Sequence, residues 1–113
     1  MISKNHPVGI DIEQIKDKVE RIAHKFMRPQ ELAFINEERK IQHLYACWCA
    51  KEAVYKCNGE KEVSFVDNIL LQPFNFEHHG MIEAHLRKDE KSIDYEVGYL
   101  QYEDYMIGYV RGE

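Results

Sequence analysis

The hydrophobic residues of this chain change their period near its midpoint, and that change restricts the fold more than any other feature. In the first half they recur at spacings of three and four: Ile12, Ile15, Val19, Ile22 and Phe26 make one stripe, with Lys16, Asp17, Lys18 and Glu20 opposite. That pattern predicts an amphipathic helix. A short β-branched run, Val8-Gly9-Ile10-Asp11-Ile12, comes before it and reads as a strand. Pro29-Gln30-Glu31 suits the first turn of a short helix reaching about Asn36, since proline is tolerated there and a carboxylate favours the positive end of the dipole. A longer helix is expected from about Lys40 to Cys57, with Asn58-Gly59 as its stop. In the second half the period becomes two. Segments Ile69 to Phe76, Met81 to Leu86, Ser92 to Leu100 and Tyr105 to Val110 read as strands. Short polar stretches around Glu77 to Gly80, Arg87 to Lys91 and Gln101 to Asp104 join them as hairpins. One strand, about three helices and then an antiparallel β meander place the chain in the α+β class.

With 113 residues there is material for a single domain spanning 1–113. Hydrophobic residues at 44% and charged residues at 31% are the balance of a globular chain. A net charge of −5 leaves no broad basic surface, which argues against nucleic-acid binding through phosphates. No run approaches the length of a membrane span. Three cysteines without regular spacing fit a reducing cytoplasm better than a disulfide framework. Cys47 and Cys49 fall on different sides of a helix, so they read as core residues. His78-His79 lacks further ligands at metal-binding spacing.

On a helical wheel of the Lys40 to Cys57 segment, Ile41, Leu44, Tyr45, Trp48 and Tyr55 share one side, and Glu52 falls among them. A carboxylate on an apolar face needs compensation, which a cation or an intrahelical pair with Lys51 or Lys56 would supply. Asp11 and Glu13 are two residues apart on the first strand, so both side chains point the same way. Such a pair serves either as the cap of a following helix or as a ligand pair for a hard divalent cation.

Val8-Gly9-Ile10-Asp11-Ile12-Glu13, followed by Trp48-Cys49-Ala50-Lys51-Glu52-Ala53-Val54-Tyr55-Lys56, resembles the paired signature of the 4'-phosphopantetheinyl transferase superfamily. The stretch from Lys25 to Glu31 is similar to the segment that family carries between its two motifs. The resemblance implies Mg²⁺-dependent transfer of the phosphopantetheine arm of coenzyme A to a serine of an acyl or peptidyl carrier protein. It implies Asp11, Glu13 and Glu52 as metal ligands, and Glu52 as the group that helps deprotonate the serine. Lys51 and Lys56 would contact phosphates, with Lys56 also serving the reaction, and Trp48 would pack and orient the helix.

Glu13 and Trp48 make the chain more similar to the surfactin-synthetase-activating type than to the small holo-acyl-carrier-protein synthase type. In the former, two similar halves share one chain with the coenzyme between them, and the likeness here is to the second half. The chain therefore reads as the C-terminal half of a longer two-half enzyme. No Ser-His step of the kind the family uses near the coenzyme occurs in the sequence. The expectation is a homo-oligomer that covers the missing half's surface, and the alternative to an enzyme is a non-catalytic half-domain acting as a binding or dimerisation module.

Overall fold

The computed structural model describes residues 9–59 and 62–111; Val8, where the first strand was expected to begin, lies outside them. The chain opens with β1 (Ile10–Gln14), then α1 (Val19–Ile22), α2 (Pro29–Leu32) and the long α3 (Lys40–Asn58). Four strands follow: β2 (Ile69–Leu71), β3 (His79–Lys88), β4 (Lys91–Tyr102) and β5 (Tyr105–Val110). They form one antiparallel sheet in the order β1-β5-β4-β3-β2, so the first strand lies beside the last.

Local chemistry explains most boundaries. The Asn36 side chain accepts from the N–H groups of Glu38 and Arg39, which closes the turn leading into α3. At the other end Gly59 adopts φ 75° and donates its N–H to Tyr55, ending the helix where glycine tolerates the left-handed backbone. Two-residue turns join β3 to β4 and β4 to β5, with Asp89 (φ 54°) and Glu103 (φ 53°) in the left-handed region. One face of the sheet presents Ile69, Leu71, Ile82, Ala84, Leu86, Val97 and Met106 to α3, which answers with Leu44, Cys47, Ala50 and Val54. Each fully buried aliphatic chain contributes about 1.5–3 kcal/mol relative to exposure. Among the described residues no helix is long and apolar enough to cross a membrane.

The architecture is the expected α+β one, with departures within it; among them, the helix expected to reach about Asn36 ends at Leu32. The stripe from Ile12 to Phe26 is not one helix: the chain stays extended to Gln14, which pairs with Tyr105, and helix is confined to Val19–Ile22 and a 3₁₀ turn at Ala23–Lys25. Pairing along β5 overrides the local period, leaving Ile12 on the open face of the sheet. The strand expected from Ile69 to Phe76 stops at Leu71, because Pro73 offers no N–H for a ladder. His79 and Gly80, expected in a turn, instead begin β3 opposite Leu100 and Tyr99.

Candidate functional site

The site forms where α3 lies directly on β1 and β5, and two glycines permit that approach. A Cβ at Gly9 would sit 1.9 Å from the Ala53 carbonyl oxygen, and one at Gly108 would sit 2.9 Å from backbone atoms of Cys49. Any larger residue would push the helix away from the strands. Asp11 pairs with Gly108 in the ladder, so its side chain points to the helix side, and Glu13 follows it two residues on. Ile10 and Ile12 point to the opposite, exposed face.

This packing brings Asp11, Glu13 and Glu52 together, each offering a carboxylate oxygen within 4.8 Å of the others. Asp11 is only 4% exposed. Its Oδ1 accepts a hydrogen bond from Lys56 Nζ at 2.9 Å, while its Oδ2 is buried without a partner. Burial pushes the Glu13 carboxyl above its usual range, Asp11 pushes it further, and hydrogen bonding from Trp48 partly offsets both. Glu52 is likewise pushed up, by burial first and then by Asp11, with Lys56 acting in the opposite direction. The hydrogen bond to Asp11 in turn pushes the Lys56 ammonium up. Beneath them the Cys49 thiol is raised mainly by burial and faces the Met106 carbonyl, so it stays protonated.

Three mutually repelling carboxylates around a buried orphan oxygen fit a divalent cation with hard oxygen ligands, and Mg²⁺ suits a set this small if waters and phosphate complete it. Of the lysines expected near phosphate, Lys56 is 48% exposed, bonded to Asp11 and to the Ile10 carbonyl. Lys51 lies elsewhere. Its ammonium is fully buried, 2.7 Å from Glu31 Oε1 and 2.8 Å from the Phe65 carbonyl, so it cannot reach a ligand from solvent. Glu31 also accepts from the N–H groups of Arg28 and Leu71, tying α2 and the edge of β2 to α3.

The wheel placed Glu52 at the centre of the apolar face, but α3 is buried on two sides and Glu52 stands half-buried at their margin. The role of Glu31 is not evident from the sequence, whose one signal for it is a carboxylate inside the Lys25 to Glu31 segment ahead of a helix carrying a lysine between Ala50 and Ala53. Trp48 packs edge-on against Phe26 with ring centres 4.6 Å apart, in keeping with an orienting role.

The sequence model of the 4'-phosphopantetheinyl transferase superfamily matches residues 7–110, nearly the whole chain. No curated protein matches it significantly.

Proposed function

The chain belongs to the 4'-phosphopantetheinyl transferase superfamily, and from that premise we propose that it transfers 4'-phosphopantetheine from coenzyme A to a carrier-protein serine. The observation that carries the proposal is the convergence of Asp11, Glu13 and Glu52 around an oxygen that lacks a partner. These three residues would hold Mg²⁺, which when bound neutralises charge on the pyrophosphate of the coenzyme. Glu52 takes the serine proton as the serine oxygen bonds to the β-phosphorus. The bond from that phosphorus to the bridging oxygen breaks, and adenosine 3',5'-bisphosphate leaves. Lys56 holds Asp11 by one oxygen so that the other faces the cluster, and its exposed ammonium lies at the mouth of the site to meet a phosphate. Lys51 acts through the helix it anchors.

The open face of the sheet bears on whether the chain works alone. Ile10 and Ile12 on β1, Tyr105 and Tyr109 on β5, and Leu100 and Tyr102 on β4 are large, exposed and on the same side of neighbouring strands. We propose that a second copy covers this face, because the apolar patch crosses three adjacent strands while the charged groups of the same face, Glu83 and the Glu96–Arg111 pair, stand at its border. The same observation favours the second reading, a half-domain whose role is association.

The decisive experiment incubates the chain with coenzyme A, Mg²⁺ and an apo carrier protein and follows the carrier by mass spectrometry. One added phosphopantetheine is expected with the wild type and none with a folded Glu52→Gln protein. A folded wild type that leaves every carrier unmodified would favour the association module. Light scattering is expected to show a dimer, and a monodisperse monomer would exclude the second copy.

A further inference from the structure

A second polar cavity lies at the far edge of the sheet from the carboxylate cluster. The edges are four strand spacings apart, roughly 19 Å. The cavity has a volume of about 210 Å³ between α2, β2 and β3, with Arg28, Gln30, Phe34, Leu70, Gln72 and His85 among its walls.

The charge balance there is incomplete. Glu31 reaches the same cavity, but Lys51 neutralises it and the Arg28 and Leu71 N–H groups use its oxygens. His85 is held between Gln72 Nε2 at 2.9 Å and Asp94 Oδ1 at 2.8 Å. Arg28 is the surplus cation: among the described residues its Nε is buried without a hydrogen-bond partner and its guanidinium joins no carboxylate. A half-buried guanidinium whose Nε is shielded from water and unpaired costs free energy that a bound anion would recover.

We propose that this cavity binds a phosphate group, with the fork of Arg28 as its anchor. A planar guanidinium matches two phosphate oxygens at once, and the amides of Gln30 and Gln72 stand beside it as further donors. The volume exceeds what one phosphate fills, and Phe34, Leu70 and Pro73 give the remaining wall an apolar character. A phosphomonoester with a small organic stem therefore fits better than free phosphate. This site is separate from the cluster at Asp11 and does not depend on the reaction proposed there.

Amide NMR on the full chain tests it, with inorganic phosphate and phenyl phosphate titrated separately at constant ionic strength. Saturable shifts are expected at residues 28–34, 70–73 and 85 below about 10 mM ligand, with phenyl phosphate the tighter by severalfold. Equal affinity for the two would still place phosphate at Arg28 but identify the free ion as its source. Arg28→Gln is expected to weaken both by about tenfold or more, and Arg28→Lys by less, because the charge stays while the fork is lost. Absence of saturable shifts at these residues, or an Arg28→Gln protein that binds as the wild type does, overturns the proposal. Shifts confined to Asp11, Glu52 and Lys56 would overturn it too, since they would report the other site.

Discussion

Lys51 and Glu52 are neighbours on α3, yet they enter two opposite kinds of polar environment. On the Lys51 side the ion pair itself is complete: the ammonium meets Glu31 and the Phe65 carbonyl, and both Glu31 oxygens are used. On the Glu52 side three carboxylates crowd together, one buried oxygen has no partner, and burial and mutual repulsion raise two of the acids. Burying a charge is tolerable once it is satisfied, so the first arrangement fixes the helix. The second stores unfavourable energy that a cation would release. What separates these two neighbours is whether the chain itself completes the buried carboxylates they meet.

The largest effect should come from breaking the completed side. Lys51→Met would strand the Glu31 carboxylate in the core, and denaturant unfolding is expected to show a loss of about 3–5 kcal/mol. Replacing both partners, as Lys51→Met with Glu31→Leu, should recover much of it while leaving the Glu52 side to loosen. A single variant that unfolds like the wild type would mean that the pair is not closed as described.

His43 extends the comparison to a neutral group. Its ring is fully buried among Phe34, Phe74 and Phe76, its Nδ1 accepts from the Asn36 N–H at 3.0 Å, and burial lowers its pKa to about 4. The folded value lies below the unfolded 6.5, so the contribution is complete above pH 6.5 and lost as pH falls toward 4, up to about 3 kcal/mol. Glu13 and Glu52 act in the opposite direction, since a folded pKa raised above 4.5 makes stability grow as the acids take up protons. Unfolding measured from pH 7 to pH 4 should therefore fall more steeply in Glu52→Gln than in the wild type. Parallel curves would argue that Glu52 is not under strain.

At pH 7 the same substitution acts on charge alone. Removing one of three like charges should stabilise the metal-free protein by about 1 kcal/mol. It should also abolish the rise in melting temperature that Mg²⁺ and coenzyme A together give the wild type. Destabilisation with an intact Mg²⁺ response would place Glu52 outside the shell.

The two sides of α3 also differ in how far the sequence disclosed them. Asp11, Glu13 and Glu52 were legible because strand alternation, the wheel and the paired motifs each involve residues whose spacing survives folding. The α+β order was legible from the change of period. Lys51 was misplaced because its partner is twenty residues away on a different element, and no period links a lysine on α3 to a glutamate on α2. The extended run of Ile12 to Gln14 was hidden for the same reason: it depends on β5, at the other end of the chain. Local patterns found the elements, and the contacts that join distant elements supplied what was missed.

The smallest stability effect, and the finest test of the unfinished side, belongs to Lys56. Its bond to Asp11 is half open to solvent, so screening should hold the cost of Lys56→Gln to about 0.5 kcal/mol. Metal binding should respond in a different direction from stability. With the ammonium gone the cluster is more negative, which favours Mg²⁺ alone by simple charge; but Asp11 also loses the bond that turns its Oδ2 inward, which disfavours it. At this separation the charge effect, screened by water, is about 1 kcal/mol, and it should prevail because Asp11 is buried and has little room to turn. Calorimetry is therefore expected to show Mg²⁺ binding about fivefold tighter in Lys56→Gln than in the wild type, while coenzyme A binds more weakly for want of the cation at the mouth. Weaker Mg²⁺ binding in the variant would show that Lys56 chiefly orients Asp11, and the open side of the helix would then be more nearly complete than the comparison holds.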